Sequence, residues 1–275
     1  MIVGVVGLGL IGGSIVKAYH AKGHTVYAWN RSRKTLDFAL ISGEVDAELG
    51  ESNVSECDLI VVCLYPNASI EWIRKMAPHF GPKPLVMDAC GTKREICETC
   101  FKLAEENGFT FVGGHPMAGT KDSGYKYSKE DMFIGAPMVV VPPRFDDIVL
   151  YTRVKELLEP LRLGKFSITT AEDHDQMIAF TSQLSHLVAS SFIKSPAAER
   201  QGGFSGGTYK DMTRVAYLNA PMWAEIFISN KDCLLVELDS LIDNLSKYRA
   251  AISDEELEEL TELLAEGSRR KEELG

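Results

Sequence analysis

His115 is the residue around which a chemistry for this chain is most readily built. It stands in Gly114-His115-Pro116-Met117-Ala118-Gly119, directly after the β-like run Phe109-Thr110-Phe111-Val112. That spacing predicts a histidine on a tight, glycine-flanked loop at a strand end. An imidazole titrating near neutrality suits accepting a hydroxyl proton. Near the N-terminus, Gly7-Leu8-Gly9-Leu10-Ile11-Gly12 follows an apolar run and opens a helical stretch. In that setting G-x-G-x-x-G binds a dinucleotide: Gly7 permits the turn, Gly9 lets backbone approach the pyrophosphate, and Gly12 lets helix pack on strand. The helix N-terminus then supports the negative charge. Far downstream, Lys210-Asp211-Met212-Thr213-Arg214 carries an arginine whose planar fork suits a carboxylate. A hydride acceptor, a proton acceptor and a carboxylate anchor together predict a dehydrogenase for a small acidic substrate.

The elements that must position these groups follow from periodicity. Apolar runs at 2–6, 25–29, 59–64, 85–88, 109–112, 138–141 and 166–168 alternate with helix-like sequence, which implies βαβ units and a largely parallel sheet. After Thr169 the period becomes helical. Met177, Phe180, Leu184, Leu187, Val188 and Phe192 fall on one stripe. Asn219-Ala220-Pro221 offers an N-cap with proline in the first turn, and Phe227, Leu234, Leu238, Leu241, Leu245 and Tyr248 continue as a long amphipathic helix. About a hundred helical residues bury such stripes poorly alone, so a homodimer through the C-terminal helices is expected. The fold class is an α/β Rossmann-type doubly wound sheet (residues 1–168) followed by an all-α dimerisation domain (residues 169–275).

The choice of dinucleotide turns on the end of the second strand. An acid there commonly binds the adenosine ribose hydroxyls. Here Asn30 takes that place, followed by Arg31, Ser32 and Arg33. A neutral side chain removes the repulsion that rejects a 2′-phosphate, and Arg31, helped by Ser32 or Arg33, can bind it. NADP is therefore favoured over NAD. Leu64, closing the third predicted strand, completes the cofactor-binding set with Leu8, Leu10 and Ile11.

Composition excludes other classes. The net charge of −10 is concentrated at the C-terminus, where residues 250–275 hold nine Asp and Glu against three Lys and Arg, as a solvated helix would. No basic stripe offers itself to nucleic acid. The first sixteen residues are uncharged but contain five glycines and no basic leader region, so neither a signal peptide nor a membrane span is expected. This predicts a cytoplasmic protein. Cys97-Glu98-Thr99-Cys100 lacks a second such pair and a neighbouring histidine, so its thiols are expected reduced and buried, with no metal.

Gly7–Gly12, the stretch Gly113–Gly119, Ser182-Gln183-Leu184-Ser185-His186, and Gly207–Arg214 with Val215-Ala216 together resemble the prephenate/arogenate dehydrogenase family of tyrosine biosynthesis, in its order and spacing. The resemblance implies oxidative decarboxylation of a cyclohexadienyl acid, prephenate or arogenate. It gives His115 the ring hydroxyl, Arg214 the substrate carboxylate, and His186 a place in the same pocket. Lys210 is either a second carboxylate contact or a solvent-facing charge, and Asp211 would orient one of the two cations. Thr120 and Lys121 join the substrate set. A lysine at 121, where many relatives are acidic, favours a second carboxylate, whereas Asp122 could meet the amino group of arogenate. Relatives commonly hold a serine beside the histidine. Its position here is Gly91, which leaves Thr92 or a water to supply that hydroxyl. Two rival readings are a β-hydroxyacid dehydrogenase, which would need a catalytic lysine on a helix, and a non-catalytic NADP-binding sensor.

Overall fold

The apolar runs pair into a single eight-stranded sheet in the computed structural model, which describes residues 1–120 and 122–275. Strands β1 (Ile2–Val6), β2 (Thr25–Trp29), β3 (Ala47–Glu48), β4 (Leu59–Val62), β5 (Leu85–Asp88), β6 (Thr110–Pro116), β7 (Met138–Val141) and β8 (Phe166–Ile168) lie in the order 3-2-1-4-5-6-7-8. All pairings are parallel except β6–β7. Strand β3, only two residues long, carries no periodic signal and was not foreseen from sequence. The order reverses between β1 and β4, and this switch point opens the crevice in which doubly wound sheets hold ligands.

Both faces of the sheet are covered, which is why β4 reads Leu-Ile-Val-Val without polar alternation. Leu59 and Val61 face one core with helices α1 (Leu10–Ala21), α2 (Arg33–Ile41) and α5 (Ile148–Leu157). Ile60 and Val62 face the other, with α3 (Pro66–Phe80) and α4 (Arg94–Asn107). The thiols of Cys57, Cys90, Cys97 and Cys100 are buried and free. Burial pushes Cys57 and Cys90 up to about 12, so they behave as small apolar groups.

The remaining chain is helical: α6 (Ala171–Ile178), α7 (Ser185–Phe192), α8 (Gly207–Thr213), α9 (Ala220–Ser229), α10 (Lys231–Ser253) and α11 (Leu257–Leu274). Thr170 caps α6 by accepting from Asp173 N, and Asn219 caps α9 by accepting from Met222 N. Two helical expectations change. A π-helical segment, Ala179–Leu184, joins α6 to α7 and rotates the stripe, so Leu184 is buried while Met177, Phe180 and Phe192 face outward. The long helix expected beyond Asn219 is two helices, divided at Asn230. That side chain is buried, donates to Asp175 O (2.8 Å) and Gln183 Oε1 (3.0 Å), and accepts from Arg94 (2.8 Å). Helices α10 and α11 leave Val236, Leu245, Ile252, Leu257 and Leu264 exposed. No helix of the described residues is long and apolar enough to cross a membrane.

Candidate active site

The glycine loop after β1 has the shape a dinucleotide needs. Gly7 sits at φ +94°, and a Cβ there would lie 2.7 Å from the Cys63 carbonyl oxygen and from Leu64 Cδ2. A Cβ on Gly12 would lie 1.9 Å from the Gly7 carbonyl oxygen, whereas one on Gly9 would meet nothing within 4 Å. Two glycines thus allow the chain to close on itself, and the middle one leaves room for a ligand. No side chain caps the N-terminus of α1 and no acid occupies its first turn, so its N–H groups remain available to an anion. These residues fit a pyrophosphate. A Gly9→Ala variant should fold with an unchanged melting midpoint but bind dinucleotide more weakly. Gly12→Ala should lose more than about 3 kcal/mol of stability, because backbone must move. Urea melts and cofactor titration of the pair separate the two roles.

At the adenosine end, Asn30 Oδ1 accepts from Leu8 N (2.9 Å) and its amide donates to Ser32 O (3.1 Å), so Asn30 braces the glycine loop. Ser32 Oγ accepts from the Thr35 hydroxyl at 3.2 Å. Arg33 is exposed and pairs with Asp37 (2.7 Å) and Glu48 (2.5 Å). Arg31 is exposed and forms no ion pair among the described residues.

His115 lies within β6 and not on a loop after it. The strand pairs with β5 over Thr110–Val112 and continues along β7, with His115 opposite Val139. The expected tight turn fails because Gly113 and Gly114 serve close approach instead. A Cβ on Gly113 would stand 2.5 Å from Cys97 Sγ, and one on Gly114 would stand 2.6 Å from the Asp88 carbonyl oxygen. Asp88 Oδ1 accepts from Gly114 N (3.1 Å), and its Oδ2 accepts from Cys90 N (2.9 Å) and from the ammonium of Lys93. Asp88 and Lys93 are fully buried. Burial opposes charge on Lys93, but Asp88 more than offsets it and holds the ammonium above its ordinary value.

The ring of His115 meets His174, with Nδ1 and Nε2 2.9 Å apart. His174 Nδ1 lies 2.7 Å from Asp175 Oδ1, and Asp175 also accepts from the backbone N–H of Lys93 (2.7 Å) and Arg94 (3.0 Å) and from Arg94 Nε (3.3 Å). Burial raises Asp175, but the bonds from His174 and from the Arg94 and Lys93 backbone outweigh it and keep the carboxyl below its ordinary value. Burial, then the neighbouring His174 and Lys93, push His115 well below 6.5. Burial also lowers His174 despite Asp175. The Thr92 hydroxyl accepts from Ser229 at 3.3 Å, and the partner of the His115 ring is His174. A Cβ on Gly91 would meet only Ile226 Cδ1, at 3.6 Å.

Helix α9 covers this crevice. It is tied to the start of α3 and to the loop after β5 by Asn219 to the Tyr65 hydroxyl, Asn67 N to Glu225, and Ser229 to Thr92. Its Trp223 stacks on His186, ring centroids 4.0 Å apart. His186 Nδ1 lies 2.8 Å from Ser182 O. Burial lowers its pKa, and Arg214 is near enough to lower it further against the opposing Ser182 bond. Lys210, Asp211 and Arg214 are exposed at α8 and its end. Thr120 is exposed and donates to Asp122 O at 3.3 Å, and Lys121 lies outside the described residues.

Sequence reasoning missed His174, Asp175 and the Asp88–Lys93 pair. The signal for the first two was a His-Asp dipeptide one turn into a capped helix, where Glu172 and Asp173 already serve the helix N-terminus.

Residues 14–164 match the family model described as prephenate dehydrogenase, nucleotide-binding domain, and residues 170–266 match its dimerization domain. A prephenate dehydrogenase of Bacillus subtilis (strain 168) is 29% identical over 269 residues, covering 92% of this chain and 71% of the relative. The crystal structure of Synechocystis arogenate dehydrogenase superposes with a TM-score of 0.81 at 28% identity, covering both chains completely. Prephenate dehydrogenase from A. aeolicus, in complex with hydroxyphenyl propionate and NAD+, does so with a TM-score of 0.84 at 26% identity, covering 100% of this chain and 98% of that one. With a dinucleotide cradle, a hydrogen-bonded histidine pair and family matches on both halves, this chain belongs to the prephenate dehydrogenase family.

Proposed function

We infer that the chain catalyses NAD(P)-dependent oxidative decarboxylation of prephenate to 4-hydroxyphenylpyruvate, with residues 1–168 holding the cofactor and 169–275 closing the substrate pocket. The observation that carries this reading is His115: half-buried, depressed in pKa and therefore neutral, with Nε2 free of protein partners among the described residues. His115 accepts the proton of the ring hydroxyl. A dinucleotide held by the Gly7–Gly12 loop would supply the hydride acceptor for that carbon. Arg214 anchors a substrate carboxylate, and Lys210, on the same short helix, adds a second cation for a dianion. His186, whose Nδ1 is taken up by Ser182 O, adds a substrate contact in the same pocket. Loss of carbon dioxide aromatises the ring, which drives the reaction.

The cofactor set is Gly7, Leu8, Gly9, Leu10, Ile11 and Gly12 with Asn30, Arg31, Ser32 and Leu64. NADP is preferred because no acid ends β2 and Arg31 is uncommitted. The chain acts as a homodimer, which covers the exposed apolar residues of α10 and α11 and fits the dimerization domain at 170–266. Steady-state reduction of NADP and NAD, with prephenate and arogenate each supplied, tests the reading. Turnover with prephenate supports it, turnover confined to arogenate moves the activity to that substrate, and none in any combination refutes it. Arg31→Ala should lower kcat/KM with NADP roughly 10- to 100-fold, as loss of a charged phosphate contact does. NAD should be little affected, and equal losses with both would remove Arg31 from the 2′-phosphate.

A further inference from the structure

We propose that His174 and Asp175 are positioning residues that fix His115 in the one tautomer able to act as a base, with hydrogen on Nδ1 and a bare lone pair on Nε2. The proposal rests on His115 being the base.

The assignment follows from counting hydrogens along the chain of contacts. Asp175 is an ionised carboxylate and can only accept. Its Oδ1 lies 2.7 Å from His174 Nδ1, so that nitrogen carries the hydrogen. In a neutral imidazole the other nitrogen is then an acceptor. His174 Nε2 lies 2.9 Å from His115 Nδ1, so His115 Nδ1 must donate, and the lone pair of His115 is left on Nε2. Each link is set by the one before it, and the first cannot reverse. His174 cannot itself serve as the base, because both its ring nitrogens are occupied and it is buried.

Asp175 is in turn immobilised. The backbone N–H groups of Lys93 and Arg94 and the Arg94 guanidinium all reach its carboxylate. The same Arg94 binds Asp232 and Asn230 on the far side. The orienting force on His115 therefore comes from the start of the helical half and is anchored on the sheet. It also explains how the base is oriented although position 91 is glycine and the Thr92 hydroxyl is engaged with Ser229.

When His115 takes the substrate proton it becomes an imidazolium, and His174 Nε2 is the acceptor already facing its Nδ1–H. The imidazolium thus keeps the orientation of the neutral base, and no charge is added to the resting site.

The test is nitrogen-15 NMR of the protein labelled at histidine, which has only six such residues, with the His115 signals assigned by their loss in His115→Asn. The expected spectrum shows His115 protonated at Nδ1 and bare at Nε2. His174→Phe should abolish that preference and lower kcat about 100-fold or more, with KM and dinucleotide affinity unchanged. His174→Gln, whose amide oxygen can accept from His115, should recover kcat to within about 10-fold of wild type. His115 protonated at Nε2 in the wild type would overturn the proposal, as would a His174→Phe enzyme within about threefold of wild-type kcat. Should His174→Phe fail to fold, the wild-type spectrum and His174→Gln still decide. The base assignment fails separately: His115→Asn would keep its turnover while the wild-type spectrum still showed hydrogen on Nδ1.

Discussion

Replacing His115 with asparagine should lower kcat by about 100- to 10,000-fold, the range that a positioned general base contributes. Dinucleotide affinity should not change, because the cradle is built from Gly7–Gly12 and the end of β2 and not from β6. Asparagine keeps a polar group of similar reach opposite His174, so loss of folding should not confuse the result. The pH profile carries the same argument with a sign. With His115 as the base, the neutral imidazole is the active form, and burial, His174 and Lys93 all disfavour the charged one. A lowered pKa extends the neutral form toward acid. Wild-type kcat/KM should therefore stay level through neutrality and past 6.5, falling only in more acidic solution. An acid limb centred at or above 6.5 would contradict the depressed pKa, and an asparagine variant within a few-fold of wild type would remove His115 from the chemistry.

The second large effect is on stability. Lys93→Met should cost about 3–5 kcal/mol, because it leaves the Asp88 carboxylate buried without its counter-charge. The damage would reach the site, since Asp88 also accepts from Gly114, the residue before His115. Adding Asp88→Asn should recover part of the loss, as no buried charge then remains. Urea unfolding of the two variants checks this. A double variant no more stable than Lys93→Met alone would show that the pair contributes through its hydrogen bonds and not through its charge.

Much of this architecture could be read from residues in order. The strands that bind the cofactor are continuous apolar runs punctuated by glycine, and the G-x-G-x-x-G loop sits between a strand and a helix, so β1, β2, β4 and β5 were legible. Where β6 ends was not. Glycines in pairs predict a turn, and only the closeness of Cys97 and Asp88 reveals that Gly113 and Gly114 are needed for packing in an extended strand. Asn230 divides the last long helix for a reason that periodicity cannot express: its partners Asp175, Gln183 and Arg94 lie 47 to 136 residues away. Arg33 and Arg31 look equivalent in sequence, and only folding brings Glu48 to the first of them. His174 went unseen because a histidine in an acidic first turn resembles ordinary helix-terminus electrostatics until its partner on another strand is known.

The bond between His115 and His174 joins residues 59 apart, and those from Asp175 reach back 82 residues to Lys93. Contacts of such separation close late, after the local strand-helix units have formed. During synthesis the first half emerges first, and its local strand-helix units can form before the rest is made. At that stage the chain has its glycine cradle but nothing yet faces the Nδ1 of His115. On the proposed roles it can capture a dinucleotide before its base is oriented, and that orientation waits for the His-Asp pair of α6. A nascent or proteolysed chain of this kind would sequester cofactor in silence, and chimeras that exchange the helical half must carry the His-Asp pair with it.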